Sequence, residues 1–379
     1  MRSIRYNPDK VIRYVWARMT EIMLHTILEA YSLQPDLFKI ESFGSGLINH
    51  TWKATGPNDE YIIQRINKQV FKEPGIIANN LQKLDEHFRA STPGYLFAAP
   101  LQATDGSFLV RIDGDYYRLF PFIKNSHTVD FLSAADQAYE AAKQFGRFTR
   151  LLGNFNLSGL GYPLRDFHNL ELRLYQFNDA LANADTTRKQ TAAAEISRTQ
   201  ELSDISLTYE KIVRDASIPL RVIHHDTKIN NILFDDEEKG LCVIDLDTVM
   251  PGYFISDVGD MMRTYLAAAN EEEKDLDKII IRDSFFAAIY AGYMEEMGGV
   301  ITAREKELFI YAGKFMIYMQ TLRFLADYLN GDIYYTTSYP EHNLVRARNQ
   351  LRLLEHYLEH EANFKNIIAQ FEKQVVAPN

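Results

Sequence analysis

An α+β fold in two lobes is what this sequence predicts, a small β-rich lobe first and a larger, mainly helical lobe after it. Three observations point there. Short apolar strands broken by glycine turns fill the stretch from Phe38 to Phe122. Beyond Pro121 the apolar residues recur instead at helical spacing. One hairpin, "NNILFDDEEKGLCVID", interrupts the helical part and is crowded with polar residues at its ends.

The elements follow in order. Residues 1–37 are expected as an N-terminal extension whose amphipathic helix runs at about Glu21 to Tyr31. "FKIESFGSGLINHTWKATG" reads as strand, glycine turn, strand, and "DEYIIQRIN" as a third strand. "PGIIANNLQKLDEHFRA" has Ile76, Ile77, Leu81, Leu84 and Phe88 close to one helix face, with Pro74 at its entrance. "FLVRIDGDYYRLFPF" is a hairpin turning at Asp113-Gly114. Residues 38–123 therefore form the N-terminal lobe, an antiparallel sheet with one helix. Residues 124–379 form the C-terminal lobe, with helices in "DFLSAADQAYEAAKQFGRFTRLL", "ELRLYQFNDALANA" and "ISRTQELSDISLTYEKIVRDA". From Asp257 onward nearly everything reads as helix except "GDIYYTTSYPEHN".

Composition narrows the function. The 379 residues are 46% hydrophobic and carry a formal net charge of −10, which argues against a general nucleic-acid or membrane-surface binder. No stretch is apolar enough to span a bilayer, and the start lacks the uninterrupted apolar core of a signal peptide. The single cysteine, Cys242, leaves no disulfide framework and no cysteine-based zinc site. A cytoplasmic protein is the expectation.

The hairpin carries the chemistry. With "NILF" and "LCVI" as antiparallel partners, Asn231 and Asp245 meet at one end, and Asp226 enters the same end on the preceding loop. An amide oxygen and a carboxylate suit a hard cation such as Mg²⁺, which brings phosphate oxygens with it. A further carboxylate orients a hydroxyl and takes its proton. His224-x-Asp226-x-x-x-x-Asn231, the hairpin and Ile244-Asp245 resemble the catalytic core of the kinase-like phosphotransferases, among them aminoglycoside phosphotransferases, choline kinases and protein kinases. The resemblance implies a protein-kinase-like fold, Asp226 as catalytic base, and Asn231 and Asp245 as metal ligands.

More segments extend it. "FGSGLINHT", "YIIQRIN", "RDFHNLELR", "HDTKINN", "VIDLDTVMPG", "DVGDMMR", "LRFLADYL" and "HNLVRARNQ" are similar to those of N-acetylhexosamine 1-kinases, over roughly Ser42 to Gln350. This implies transfer of the ATP γ-phosphate, with Mg²⁺, to the anomeric hydroxyl of GlcNAc or GalNAc. Gly44, Ser45 and Gly46 would cover the phosphates, Arg65 would contact them, and Phe122 and Ile123 would form the adenine hinge. Asn49, His168, Asp247, Asp260, Arg263 and Arg323 would face the sugar. The related loops end Asn-Asp-Thr where this chain has Asn49-His50-Thr51, so no role passes to His50. Other acceptors (choline, homoserine, methylthioribose, another sugar), a non-catalytic binding protein of kinase fold, and a mucin-sugar sulfatase are the alternatives.

Overall fold

The computed structural model describes residues 8–44 and 48–376, and side chains from 19 to 44 and 48 to 374. The chain divides into two compact units, Met1–Lys124 and Asn125–Asn379.

The first unit holds helix α1 (Pro8–Ala30), strands β1 (Lys39–Ser42), β2 (His50–Thr55) and β3 (Glu60–Arg65), helix α2 (Pro74–Ser91), and strands β4 (Val110–Ile112) and β5 (Asp115–Pro121). The strands make one antiparallel sheet in the order β1-β2-β3-β5-β4. The β4–β5 turn lies where the sequence places it: Asp113 (φ 50°) and Gly114 (φ 81°) are both left-handed, as a two-residue hairpin requires. Helix α1 is longer than expected. It begins at Pro8, where the missing N–H costs nothing, and ends before left-handed Ser32. It is also no mere extension, because Leu24, Ile27 and Leu28 share one core with Ala54, Ile63, Tyr117 and Leu119 of the sheet. Alternation along the strands then sends Gln64, Arg118, Phe120 and Lys53 to the opposite face.

The second unit is built from helices α3 (Ala135–Leu151), α4 (Leu170–Asn183), α5 (Thr186–Thr191), α6 (Ala193–Glu201) and α7 (Asp204–Asp215). Strands β6 (Arg221–Ile223), β7 (Ile232–Phe234), β8 (Gly240–Val243) and β9 (Met250–Gly252) come next. Helices α8 (Phe254–Tyr265), α9 (Asp283–Met297), α10 (Ala303–Glu307), α11 (Phe309–Leu329), α12 (His342–Glu359) and α13 (Glu361–Val376) complete it. Helix α11 is the axis, buried almost from end to end and flanked by α4, α8 and α12. Helix α3 crosses α9 where Gly292 lets the backbones meet; a Cβ there would lie 2.2 Å from the Tyr139 carbonyl oxygen. The stretch read as one helix before Ala216 breaks at Leu202–Ser203 into α6 and α7. Between α8 and α9 the chain leaves the helical pattern. There Arg282 donates to the carbonyls of Tyr265 and Ala267, capping the C-terminal end of α8.

Candidate active site

Strands β7 and β8 pair with Ile232 opposite Val243, and the Ile244 N–H donates to the Asn231 carbonyl at 2.9 Å, extending the ladder past its last strand residue. Asn231 and Asp245 thus flank one end of the hairpin, as the pattern predicts. A second ribbon, missed in the sequence, closes the same end: β6 pairs with β9, so the chain enters the site beside the point where it leaves.

Asp226 lies on the loop between β6 and the turn at Ile229–Asn231. Its carbonyl accepts from Asn231 Nδ2 at 2.8 Å, which turns the Asn231 amide oxygen the other way. Its carboxylate meets Lys228 Nζ at 3.1 Å. Burial pushes that carboxyl up, but the neighbouring charges, Lys228 foremost and Arg263 after it, outweigh burial and hold it below the usual range. Asp226 is therefore ionised at neutral pH, the form a base needs. His224 is fully buried behind the loop, edge-on to Phe145. Its Nε2 bonds the Ile244 carbonyl and its Nδ1 accepts from the Asp226 N–H, which fixes a neutral tautomer. Burial lowers its pKa further.

The backbone of this loop is held from every side by α8. Asp257 accepts from the N–H groups of His224 (2.9 Å) and His225 (2.7 Å). Thr227 is gripped three times: its N–H donates to Asp260, its hydroxyl to the Asp257 carbonyl, and its carbonyl accepts from Tyr265 Oη. Asp260 is in turn locked by Arg263, which also pairs with Glu271. Both Asp260 oxygens and the Arg263 guanidinium are thus engaged inside the protein. Asp257, Thr227 and Tyr265 were not singled out in the sequence; the spacing of Asp257 and Asp260, one helical turn apart in "DVGDMMR", was the available signal. His225 (φ 67°) and Asp245 (φ 56°) are left-handed, a conformation this clamp sustains.

The donor set fits Mg²⁺. Among the described residues, the Asn231 amide oxygen accepts no hydrogen bond, Asp245 is solvent-exposed, and both are hard oxygen donors. No group of three or more His, Cys, Asp or Glu among the described residues could hold a metal. A cation here would take its remaining oxygens from phosphates and water.

A second cluster lies nearby in the same unit. Asn169 caps α4 and bonds Asp166, while Arg173 reaches the carbonyls of Asp166 and Phe167. This knot presents Phe167 and His168, whose rings stack at 4.4 Å, and His168 lies 5.5 Å from His225. Burial, then His225, Arg323, Arg263 and Arg173, keep His168 neutral, well below its ordinary pKa. Arg323 sits among the rings of Phe167, Tyr334 and Tyr335 at 5.5–6.0 Å and makes no ion pair among the described residues. Asp247 is buried in the turn Leu246–Thr248.

In the first unit, Gly44 is left-handed (φ 78°), and Ser45 and Gly46 lie outside the described residues. Asn49 accepts from the Asn67 N–H, pinning the end of the loop to the chain beyond β3. Arg65 points to the α1 side of the sheet and pairs with Asp115 at 3.6 Å. Cations on the other face include Lys53, 3.5 Å above the Phe122 ring and paired with Glu60, and buried Arg118, bonded to Gln64. The sequence reading missed both. The Phe122 N–H is used inside the sheet, donating to Glu60 O; Ile123 follows it.

Cys242 is buried in β8, where burial pushes its thiol up to about 12, leaving a sulfatase reading without a nucleophile. No helix among the described residues is long and apolar enough to cross a membrane.

Residues 39–293 match the model of the phosphotransferase enzyme family. Among solved structures, spectinomycin phosphotransferase in complex with ADP and spectinomycin is 14% identical, with a TM-score of 0.57 over 88% of this chain and 97% of that one. A microcompartment-associated aminopropanol kinase is 17% identical, with a TM-score of 0.61 over 89% and 97%. The ethanolamine kinase of Plasmodium vivax is 13% identical, with a TM-score of 0.56 over 92% and 91%. At such identities the likeness speaks to the kinase-like fold.

Proposed function

Because the chain belongs to the phosphotransferase enzyme family, we propose that it is an ATP-dependent small-molecule kinase whose acceptor is the anomeric hydroxyl of an N-acetylhexosamine. The observation that carries the transfer chemistry is the placement of an ionised Asp226 beside the Asn231–Asp245 end of the hairpin. Asp226 orients the acceptor hydroxyl and takes its proton as the phosphoryl group moves. Asn231 and Asp245 would hold Mg²⁺, which neutralises phosphate charge when bound. Lys228, already paired with Asp226, keeps that carboxylate ionised. On the first unit, Lys53 and Arg118 are better placed than Arg65 as candidates for the phosphate-contacting cation, since they occupy the sheet face that α1 leaves uncovered and Arg65 points to the α1 side.

The acceptor class rests on the cluster around Arg323. A guanidinium boxed by aromatic rings, with a neutral His168 beside it, offers hydrogen-bond donors to oxygen. An ammonium acceptor, such as the aminopropanol or ethanolamine of the kinases similar in fold, would meet a like charge there. A neutral sugar with an amide beside its anomeric carbon supplies carbonyl and hydroxyl oxygens instead. Turnover with GlcNAc and GalNAc, followed by ³¹P and ¹H NMR of the product, is the test. Coupling of phosphorus to H1 is expected, and glucose and galactose should react more slowly, because donors that pair with the amide are left unpaired without it. Coupling to the two H6 protons, or turnover of an amino alcohol in place of either sugar, refutes the proposal.

A further inference from the structure

Arg323 and Asp327 stand one turn apart on α11, yet they do not pair with each other. Asp327, buried to 5% exposure, turns its carboxylate into the loop that leaves the helix. Oδ1 accepts from the N–H groups of Ile333 (3.1 Å) and Tyr334 (2.8 Å). Oδ2 accepts from the Tyr335 N–H (2.9 Å) and from Asn343 Nδ2 (2.8 Å). The Asp327 carbonyl also accepts from Asp332 N–H. Asn343, with no exposure, bonds Asp332 as well, and Asp332 pairs with Arg188. Three consecutive amides of one loop thus converge on one carboxylate.

Two of the loop's side chains do the opposite of burying themselves, while Tyr335 packs on Phe324. Ile333 is 79% exposed and Tyr334 71% exposed, although their N–H groups are turned inward. Tyr334 and Tyr335 meet edge-on at 4.8 Å, and both stand around the Arg323 guanidinium. A loop whose backbone is fastened and which presents Ile333 and Tyr334 to the outside is built to contact something outside the fold.

We propose that Asp327 is a positioning residue for acceptor specificity: it sets the aromatic loop, and through it the Arg323 box, without touching the acceptor. The inference rests on the reading that this box faces the acceptor. Asp327→Asn is the informative change. In either orientation its –NH₂ faces two donors where a carboxylate oxygen stood. The loop should then lose its setting while the rest of α11 keeps its packing.

The test is steady-state kinetics of the full chain with ATP and GlcNAc or GalNAc, or, if neither reacts, with the best substrate from a panel of neutral sugars and amino alcohols. Asp327→Asn should raise the KM for the acceptor by at least about tenfold and leave the KM for ATP within about twofold. Asn343→Ala, which removes one of the four donors and leaves the loop amides intact, should do the same more mildly and serves if Asp327→Asn does not fold. A double-mutant cycle separates positioning from general damage. Asp327→Asn added to Arg323→Ala should cost little beyond Arg323→Ala alone, whereas independent effects multiply. Equal rises in both KM values, or multiplying losses, overturn the inference. So does an Arg323→Ala variant with a raised acceptor KM beside Asp327→Asn and Asn343→Ala variants with unchanged ones. Arg323→Ala without any effect on the acceptor KM refutes the acceptor reading itself, and this inference with it.

Discussion

Replacing Asp257 by asparagine should change how stability depends on pH. Asp257 is 1% exposed, and burial raises its carboxyl from 3.8 to about 7, against the two amide donors that favour its charged form. Between those values the folded chain holds a proton that the unfolded chain has released. The stabilisation is fully present below pH 3.8 and is lost as pH rises through about 7. Linkage over pH 5 to 8 gives a loss on the order of 2–3 kcal/mol from this one group. Asparagine has nothing to titrate there. Its misplaced –NH₂ adds a cost that does not vary with pH, so the gap between wild type and variant should be widest at pH 5 and narrow by that amount at pH 8. Urea unfolding of both proteins at pH 5, 6, 7 and 8 measures it. Parallel stability curves would refute the reasoning, because Asp257 would then carry the same charge in both states.

Three further outcomes concern the site. Asp226→Asn should lower kcat by about 10²–10⁴-fold, with calorimetric ATP affinity retained, since an amide keeps the loop's shape but cannot accept the proton; a variant keeping more than about a tenth of kcat would exclude Asp226 as base. Asp245→Asn, which tolerates the left-handed backbone at that position, should weaken Mg²⁺-dependent ATP binding by at least about tenfold in the same calorimeter, while unchanged metal dependence would put the cation elsewhere. Gly259→Ala should destabilise the fold by about 1–3 kcal/mol and depress kcat as well, since a Cβ there would lie 2.3 Å from the Ala312 carbonyl oxygen and push α8, with Asp257 and Asp260, off the loop; a melt and an activity assay check both.

The hairpin of the candidate site was legible because its geometry is local: strand pairing alone brings Asn231 to Asp245. The small sheet and its Asp113-Gly114 turn were legible for the same reason. The clamp on Thr227 was not, because its partners belong to a helix some thirty residues later in the chain, and nothing in the loop sequence names them. Strand alternation separated Arg65 from Gln64, but which face α1 would cover is a tertiary fact, and a shift of one residue exchanges the two faces. The irregular stretch before Arg282 reads as helix until Arg282 is seen capping α8.

The clamp also has a consequence for the order in which the protein is made. Asp226, Asn231 and Asp245, the proposed base and metal ligands, have left the ribosome once Asp245 has emerged, but Asp257, Asp260 and Tyr265 have not, and α8 itself packs on α11, which ends at Leu329. A nascent chain stopped between those points carries the whole motif with its left-handed His225 and Asp245 unsupported. Phosphoryl transfer is therefore expected to appear late in synthesis, after α11, and a chain arrested after Gly299 should have none.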